Sequence, residues 1–286
     1  MRTMTKLRSI ALALAFALTL GACEETVDIT DATYRERMVI HAVLDPVDSV
    51  DITITRTLPI NRPYDAAEAA LSDVAGTLTI VDPAAPGASR QATLVHVGNG
   101  HYTARLADRA VVPKEGFEYR LDISWRGRSA RARTIVPRSA TVDSVTLVPS
   151  SWSWEGRPME MFSVRAVIDP NPGEVYLLAS TQLDSSFGEP PMPMFTSAPI
   201  ARSRDTNAQG RIAMVDEWNA YSEPEGLAAV VVTYDEPYYE FQRTYYRGDD
   251  MGPFGSGSDI VRWTVEGDAI GLFIGRTTRI VPATHD

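Results

Sequence analysis

One cysteine, Cys23, stands among 286 residues, and that shortage excludes several chemistries. A lone thiol gives no intrachain disulfide and no thiolate cage for a metal. If Cys23 is itself modified, no cysteine nucleophile is left either. Histidine is also scarce. His41, His96, His101 and His285 form no H-E-x-x-H and no pair at helical ligand spacing. His96 and His101 flank Gly98-Asn99-Gly100, where a hairpin would let two imidazoles approach; strand residues beside a turn are the plainer reading. Positive charge is the minority, 27 Lys+Arg against 37 Asp+Glu, and Lys6 and Lys114 are the only lysines. The net charge of −10 repels nucleic acid and anionic headgroups, which argues against a nucleic-acid partner. Gly252, Gly255 and Gly257 around Ser256 and Ser258 fit neither a nucleophile elbow nor a phosphate loop. With no catalytic signature, the chain is expected not to be an enzyme.

What the chain does have begins at its start. Arg2, Lys6 and Arg8 precede an apolar run from Ile10 to Leu20, followed by small residues and the cysteine. This is the build of a secretory signal, and the run is too short to span a bilayer permanently. Leu20-Gly21-Ala22-Cys23 resembles the lipobox of bacterial lipoproteins. That resemblance implies cleavage after residue 22 and acylation of Cys23. Lipid there would contribute roughly 0.8 kcal/mol per buried methylene, and the three chains such proteins carry suffice for stable anchoring. Cleavage removes three basic residues and no acid, so residues 23–286 are more acidic still. Glu24 and Glu25 resemble the export signal of some surface lipoproteins, and they serve equally as a solvated tether.

Beyond a tether at residues 23–36, patterning of period two sets in. Val50, Ile52 and Ile54 alternate with Asp51, Thr53 and Thr55; Leu78 and Ile80 alternate with Thr77 and Thr79. Phe117, Tyr119, Leu121, Ile123 and Trp125 interleave with Arg120, Asp122 and Ser124. Arg126-Gly127-Arg128 then turns the chain into Ser129 to Val136, with Ala130 and Ala132 set against Arg131 and Arg133. This predicts a hairpin whose register is fixed, because a one-residue slip would bury arginines. Further strands are predicted over 142–148, 162–168, 175–182, 212–218 and 227–234. The prolines of 189–199 mark a loop or an edge. The one helix predicted outside the leader covers 235–247, with Asp235 as cap and Pro237 in its first turn. The expected fold is mainly β: two antiparallel Ig-like β-sandwich domains, 37–138 and 139–286, with one short helix near the C-terminus.

The layout resembles a Bacteroidota lipoprotein family, domain of unknown function 4249, over nearly the whole of residues 23–286. The residues that carry the likeness are Cys23-Glu24-Glu25, the strand Arg37 to Ala42, the strand Val50 to Arg56, and Gly98-Asn99-Gly100-His101-Tyr102. Gly116-Phe117-Glu118-Tyr119-Arg120-Leu121, Tyr238-Tyr239-Glu240-Phe241 and the glycine-rich Glu266 to Phe273 complete it. The last segment departs from the family in lacking an asparagine and a double glycine. The resemblance implies an outer-membrane lipoprotein, often encoded near TonB-dependent transporters. Whether the periplasmic face or the cell surface carries it stays open.

Two constellations offer ligand chemistry. Asp205, Asn207 and Gln209 place oxygens at the first, third and fifth positions of a loop with Gly210 sixth, Ile212 eighth and Asp216 twelfth. Six to eight oxygens around a glycine turn suit Ca²⁺, so these four polar residues are a candidate calcium loop. A polar β-turn asks for the same residues. Second, Trp152, Trp154, Tyr234, Tyr238, Tyr239, Tyr245 and Tyr246 cluster near acids. Tyr234, Tyr238, Tyr239 and Tyr245 are candidate ligand-binding residues for a glycan or peptide, with helix packing as the alternative duty. The expected function is a lipid-anchored envelope protein acting as a non-catalytic binding or scaffolding accessory beside an outer-membrane transporter. The alternative is a stand-alone surface binder using the aromatic cluster.

Overall fold

The computed structural model describes residues 34–59, 61–85, 87–154, 157–183, 199–216, 221, 224–246 and 261–284. The chain divides into two units, Met1–Arg35 with Pro59–Pro63, and Glu36–Leu58 with Tyr64–Asp286. The described part of the first holds a turn in which the Arg62 N–H donates to the Pro59 carbonyl at 3.1 Å. The second unit contains every strand below.

Strand makes up 58% and helix 6%, as the alternating patterns lead one to expect. The first strands are β1 (Met38–Leu44) and β2 (Asp51–Arg56), then a one-turn helix α1 (Ala66–Ala69) capped by Asp65. β3 (Ala75–Val81), β4 (Arg90–Gly98), β5 (His101–Leu106), β6 (Arg109–Ala110), β7 (Glu118–Trp125) and β8 (Arg128–Ile135) follow. The remainder comprises β9 (Thr141–Trp154), β10 (Arg157–Asp169), β11 (Glu174–Gln182), β12 (Ile200–Arg202), β13 (Ile212–Val215), β14 (Leu227–Asp235), α2 (Pro237–Tyr246), β15 (Val265–Gly267) and β16 (Ala269–Pro282).

The β7–β8 hairpin has the register the alternation demands: Leu121 faces Ala132 and Ile123 faces Ala130, with Arg126 and Gly127 both at positive φ in the two-residue turn. Tyr119, Leu121, Ile123 and Trp125 are buried, and they join Ile40, Ile52, Ile54 and Leu78 in one core.

The expected pair of Ig-like sandwiches is replaced by a different connection. Among the described residues, thirteen strands form a single mixed sheet ordered β12-β11-β14-β16-β1-β2-β5-β4-β3-β7-β8-β15, with β6 beside β5; β13-β10-β9 form a second sheet. The large sheet curls into a half-barrel. Its continuity is the work of β16. Residues 269–275 pair in parallel with β1, and residues 276–282 pair antiparallel with β14. One strand therefore belongs to both halves of the sheet.

Close approach explains the glycines on β16. Gly271 has φ +133°, and a Cβ there would lie 1.9 Å from the Ile40 carbonyl oxygen; at Gly275 it would lie 2.5 Å from that of Ile135. In the other half, β11 and β14 are buried on both faces. Tyr176, Leu178, Ala229 and Val231 pack against Val164, Ile168 and Met214 of the small sheet. Val175, Leu177, Val230 and Val232 pack beneath Tyr238 and Phe241 of α2.

Candidate functional site

Where β8 ends, three separate segments meet around a cavity of about 590 Å³. Pro137, which has no N–H to continue a ladder, ends the β8 arm and is followed by Arg138. Asn171-Pro172-Gly173, with Gly173 at φ +77°, turns β10 into β11 and delivers Glu174. The third segment is the junction of β14 with α2, Asp235-Glu236-Pro237, where proline sits well in a first helical turn. All three segments line the cavity.

Two buried carboxyl groups stand in this lining, and they are treated differently. Glu174 is fully partnered: it accepts from the Arg138 N–H at 3.1 Å, the Asn171 amide at 3.1 Å and the Tyr176 hydroxyl at 2.6 Å. Burial raises its pKa in spite of these donors, and it pushes the Tyr176 phenol up as well. Asp235 is only 6% exposed, and its Oδ2 accepts from the Thr134 hydroxyl. Its Oδ1 is buried with no hydrogen-bond partner. Burial drives this carboxyl up to about 7, against the opposing pull of Thr134 and of the Asp235 and Ile135 N–H groups. Thr134 in turn accepts from the Gly275 N–H at 2.6 Å, so the site sits where β8, β14 and β16 are tied together.

The role expected of Asp235 is thereby corrected. It closes β14 instead of capping the helix, because its side chain turns inward to Thr134, and α2 starts only at Pro237.

Three of the four calcium-loop residues spend side-chain oxygens on donors of the protein itself. Asp205 is exposed and held by Arg202, whose backbone N, Nε and Nη2 lie 2.9, 3.1 and 3.1 Å from its carboxylate. These contacts lower its pKa. Asn207 Oδ1 accepts from the Gln209 and Arg211 N–H groups at 2.9 and 3.0 Å, the bonding of a turn that closes on itself. Asp216 is fully buried and accepts from the Ser180 N–H at 2.8 Å. Among the described residues no group of three or more His, Cys, Asp or Glu is placed to hold a metal ion. His101 lies 3.0 Å from Asp51, whereas His96 is opposite Tyr102.

The aromatic candidates divide by burial. Tyr234 and Tyr238 stack at 3.9 Å between ring centroids inside the core under α2. Tyr239 is half-buried with the Arg202 guanidinium 4.5 Å over its ring. Tyr245 is 49% exposed and lies 6.5 Å from Trp263, itself 37% exposed. Trp263 also lines a second hollow of about 630 Å³ together with Arg120, Arg131 and Arg133. The lipobox residues Leu20, Gly21, Ala22 and Cys23, and the proline-rich stretch 189–198, lie outside the described residues. No helix among the described residues is long and apolar enough to cross a membrane.

No protein-family model matches the chain, and no curated protein matches it.

Sequence reasoning missed the Asp235, Thr134 and Glu174 constellation. One signal was present: Asp235 ends the run Leu227 to Tyr234, which reads as a strand buried on both faces, and a carboxyl at such a place is spared solvent.

Proposed function

We propose that the chain is a lipid-anchored protein of the cell envelope, held at the outer membrane through Cys23, whose folded part is a non-catalytic binding or scaffolding accessory. The observation that carries this reading is Leu20-Gly21-Ala22-Cys23 behind a basic segment and a short apolar run. The outer membrane and a neighbouring TonB-dependent transporter come from the likeness to the lipoprotein family domain of unknown function 4249. The cavity beside Asp235 supports a binding role, since it combines apolar walls with a few convergent polar groups.

Cys23→Ser is the direct test. The variant should leave the membrane fraction after export, whereas retention in washed membranes would overturn the anchor. Crosslinking of intact cells should recover a barrel protein with the lipidated chain. Its absence would favour a second reading, a stand-alone binder of glycan or peptide. The observation behind that reading is the exposed pair Tyr245 and Trp263 beside a hollow lined by arginines.

A further inference from the structure

We propose that the cavity beneath Pro137 and Pro237 binds a small organic amine, with an apolar body against Ile135 and Val136 and its ammonium group directed to Asp235. The inference rests on the folded part being a binding module and is independent of the anchor at Cys23. Three observations carry it. First, the cavity, at about 590 Å³, is of the size that small-molecule sites have, and prolines and aliphatic side chains form much of its wall.

Second, its polar lining includes a buried acceptor with no hydrogen-bond partner. Glu174 uses both carboxylate oxygens on the protein's own donors, and Asp235 uses only Oδ2. Oδ1 is buried with no hydrogen-bond partner, and the N–H groups of Asp235 and Ile135 offset the desolvation of the carboxyl only in part. Oδ1 is sealed from solvent, so binding requires the carboxyl to turn about χ2, a broad torsion in aspartate, to meet a donor entering the cavity.

Third, the balance of charge selects a cation over a neutral donor. Asp235, Glu174 and Glu236 line the space with Arg133 and Arg138. Arg133 is already committed to Glu118, with Nε 2.7 Å and Nη2 2.9 Å from its carboxylate. Three residues with carboxyl side chains thus line the cavity beside Arg138, the one arginine of the lining not held by Glu118. An ammonium group there gives Asp235 a charge-assisted hydrogen bond, the strong kind, in surroundings that screen it little. An anionic ligand would meet the opposite field.

The test uses the full chain purified in detergent and titrated with benzylamine, with benzyl alcohol and phenylacetate as matched controls. Binding is followed by calorimetry and by the methyl resonances of Ile135 and Val136. Saturable benzylamine binding at millimolar concentration is expected, with both controls about tenfold weaker or more, the margin of a hydrogen bond between charged groups. Asp235→Asn should remove that preference. Ile135→Trp, at a position 45% exposed and able to take the larger ring, should block the cavity and abolish binding while Asp235 stays intact. Absence of benzylamine binding to the folded wild-type chain would overturn the proposal, as would benzyl alcohol binding equally well or amine binding that survives both substitutions. Continued recovery of a barrel partner in that event would leave the accessory role standing and remove only the amine.

Discussion

β7 and β14 are built on opposite plans. β7 buries Tyr119, Leu121, Ile123 and Trp125 and turns Arg120, Asp122 and Ser124 to water. β14 buries all nine residues, because a second sheet covers one face and α2 the other. The contrast shows where each half of the fold finds its partner. The strands around β7 enclose a core of their own by curling, and half of each strand remains available for charge. The strands around β14 are sandwiched, so a polar side chain placed there has only the protein to bond with, and the Thr181 and Thr233 hydroxyls find no hydrogen-bond partner at all. Asp216 finds its bond on Ser180, and Asp235 only in part.

Substitutions can break this comparison, and the greatest effect is expected at the strand shared by both plans. Gly271→Val should abolish folding, since a Cβ would collide with the Ile40 backbone and φ +133° strains any side chain. Loss of soluble yield and of the β circular dichroism signal would register it; a normally folded variant would refute the parallel β1–β16 pairing. Next come neighbouring pairs. In β11, Leu177→Ala and Leu178→Ala should each cost about 2–5 kcal/mol, because adjacent residues face different cores. In β7, Leu121→Ala should cost the same, whereas Asp122→Ala next to it should stay within about 0.5 kcal/mol. Urea denaturation reads all four, and a mild Leu177 or Leu178 variant would refute burial on both faces.

A further test concerns Asp235 and pH. Its carboxyl stands at about 7 when folded and at 3.8 by default, so well below 3.8 both states are protonated and the pH-dependent cost of burial is absent. Between those values the unfolded chain ionises first, and stability falls as pH rises through the folded value. Asp235→Asn should therefore be the more stable protein at pH 8, by an amount on the order of a few kcal/mol, with the advantage vanishing near pH 4. Melting temperatures across that range would show it, and parallel curves for the two proteins would refute it.

Much of the β7–β8 hairpin was legible because alternation and a two-residue turn are local signals. Leu227 to Tyr234 was legible as a strand for a different reason, its unbroken apolar run. What joins the halves was not legible. A parallel pairing between Met38–Leu44 and residues more than two hundred positions later leaves no mark on either segment except glycines, which also suit a turn. The cavity was hidden for the same reason: residues 133–138, 171–174 and 235–237 meet only through tertiary structure. Asp235 misled because an acid two residues before a helical proline is also what a cap looks like.

The shared strand has a consequence in time. β1 emerges long before β16, and more than two hundred residues separate the paired segments, a contact of very high sequence separation. Until residues 269–275 arrive, β1 presents a bare hydrogen-bonding edge on that side, open to any other extended chain. The first half of the sheet is therefore completed only by a strand made more than two hundred residues after β1. A nascent or truncated chain short of β16 would lack more than its last strand: it would be a half-built sheet with its adhesive side out.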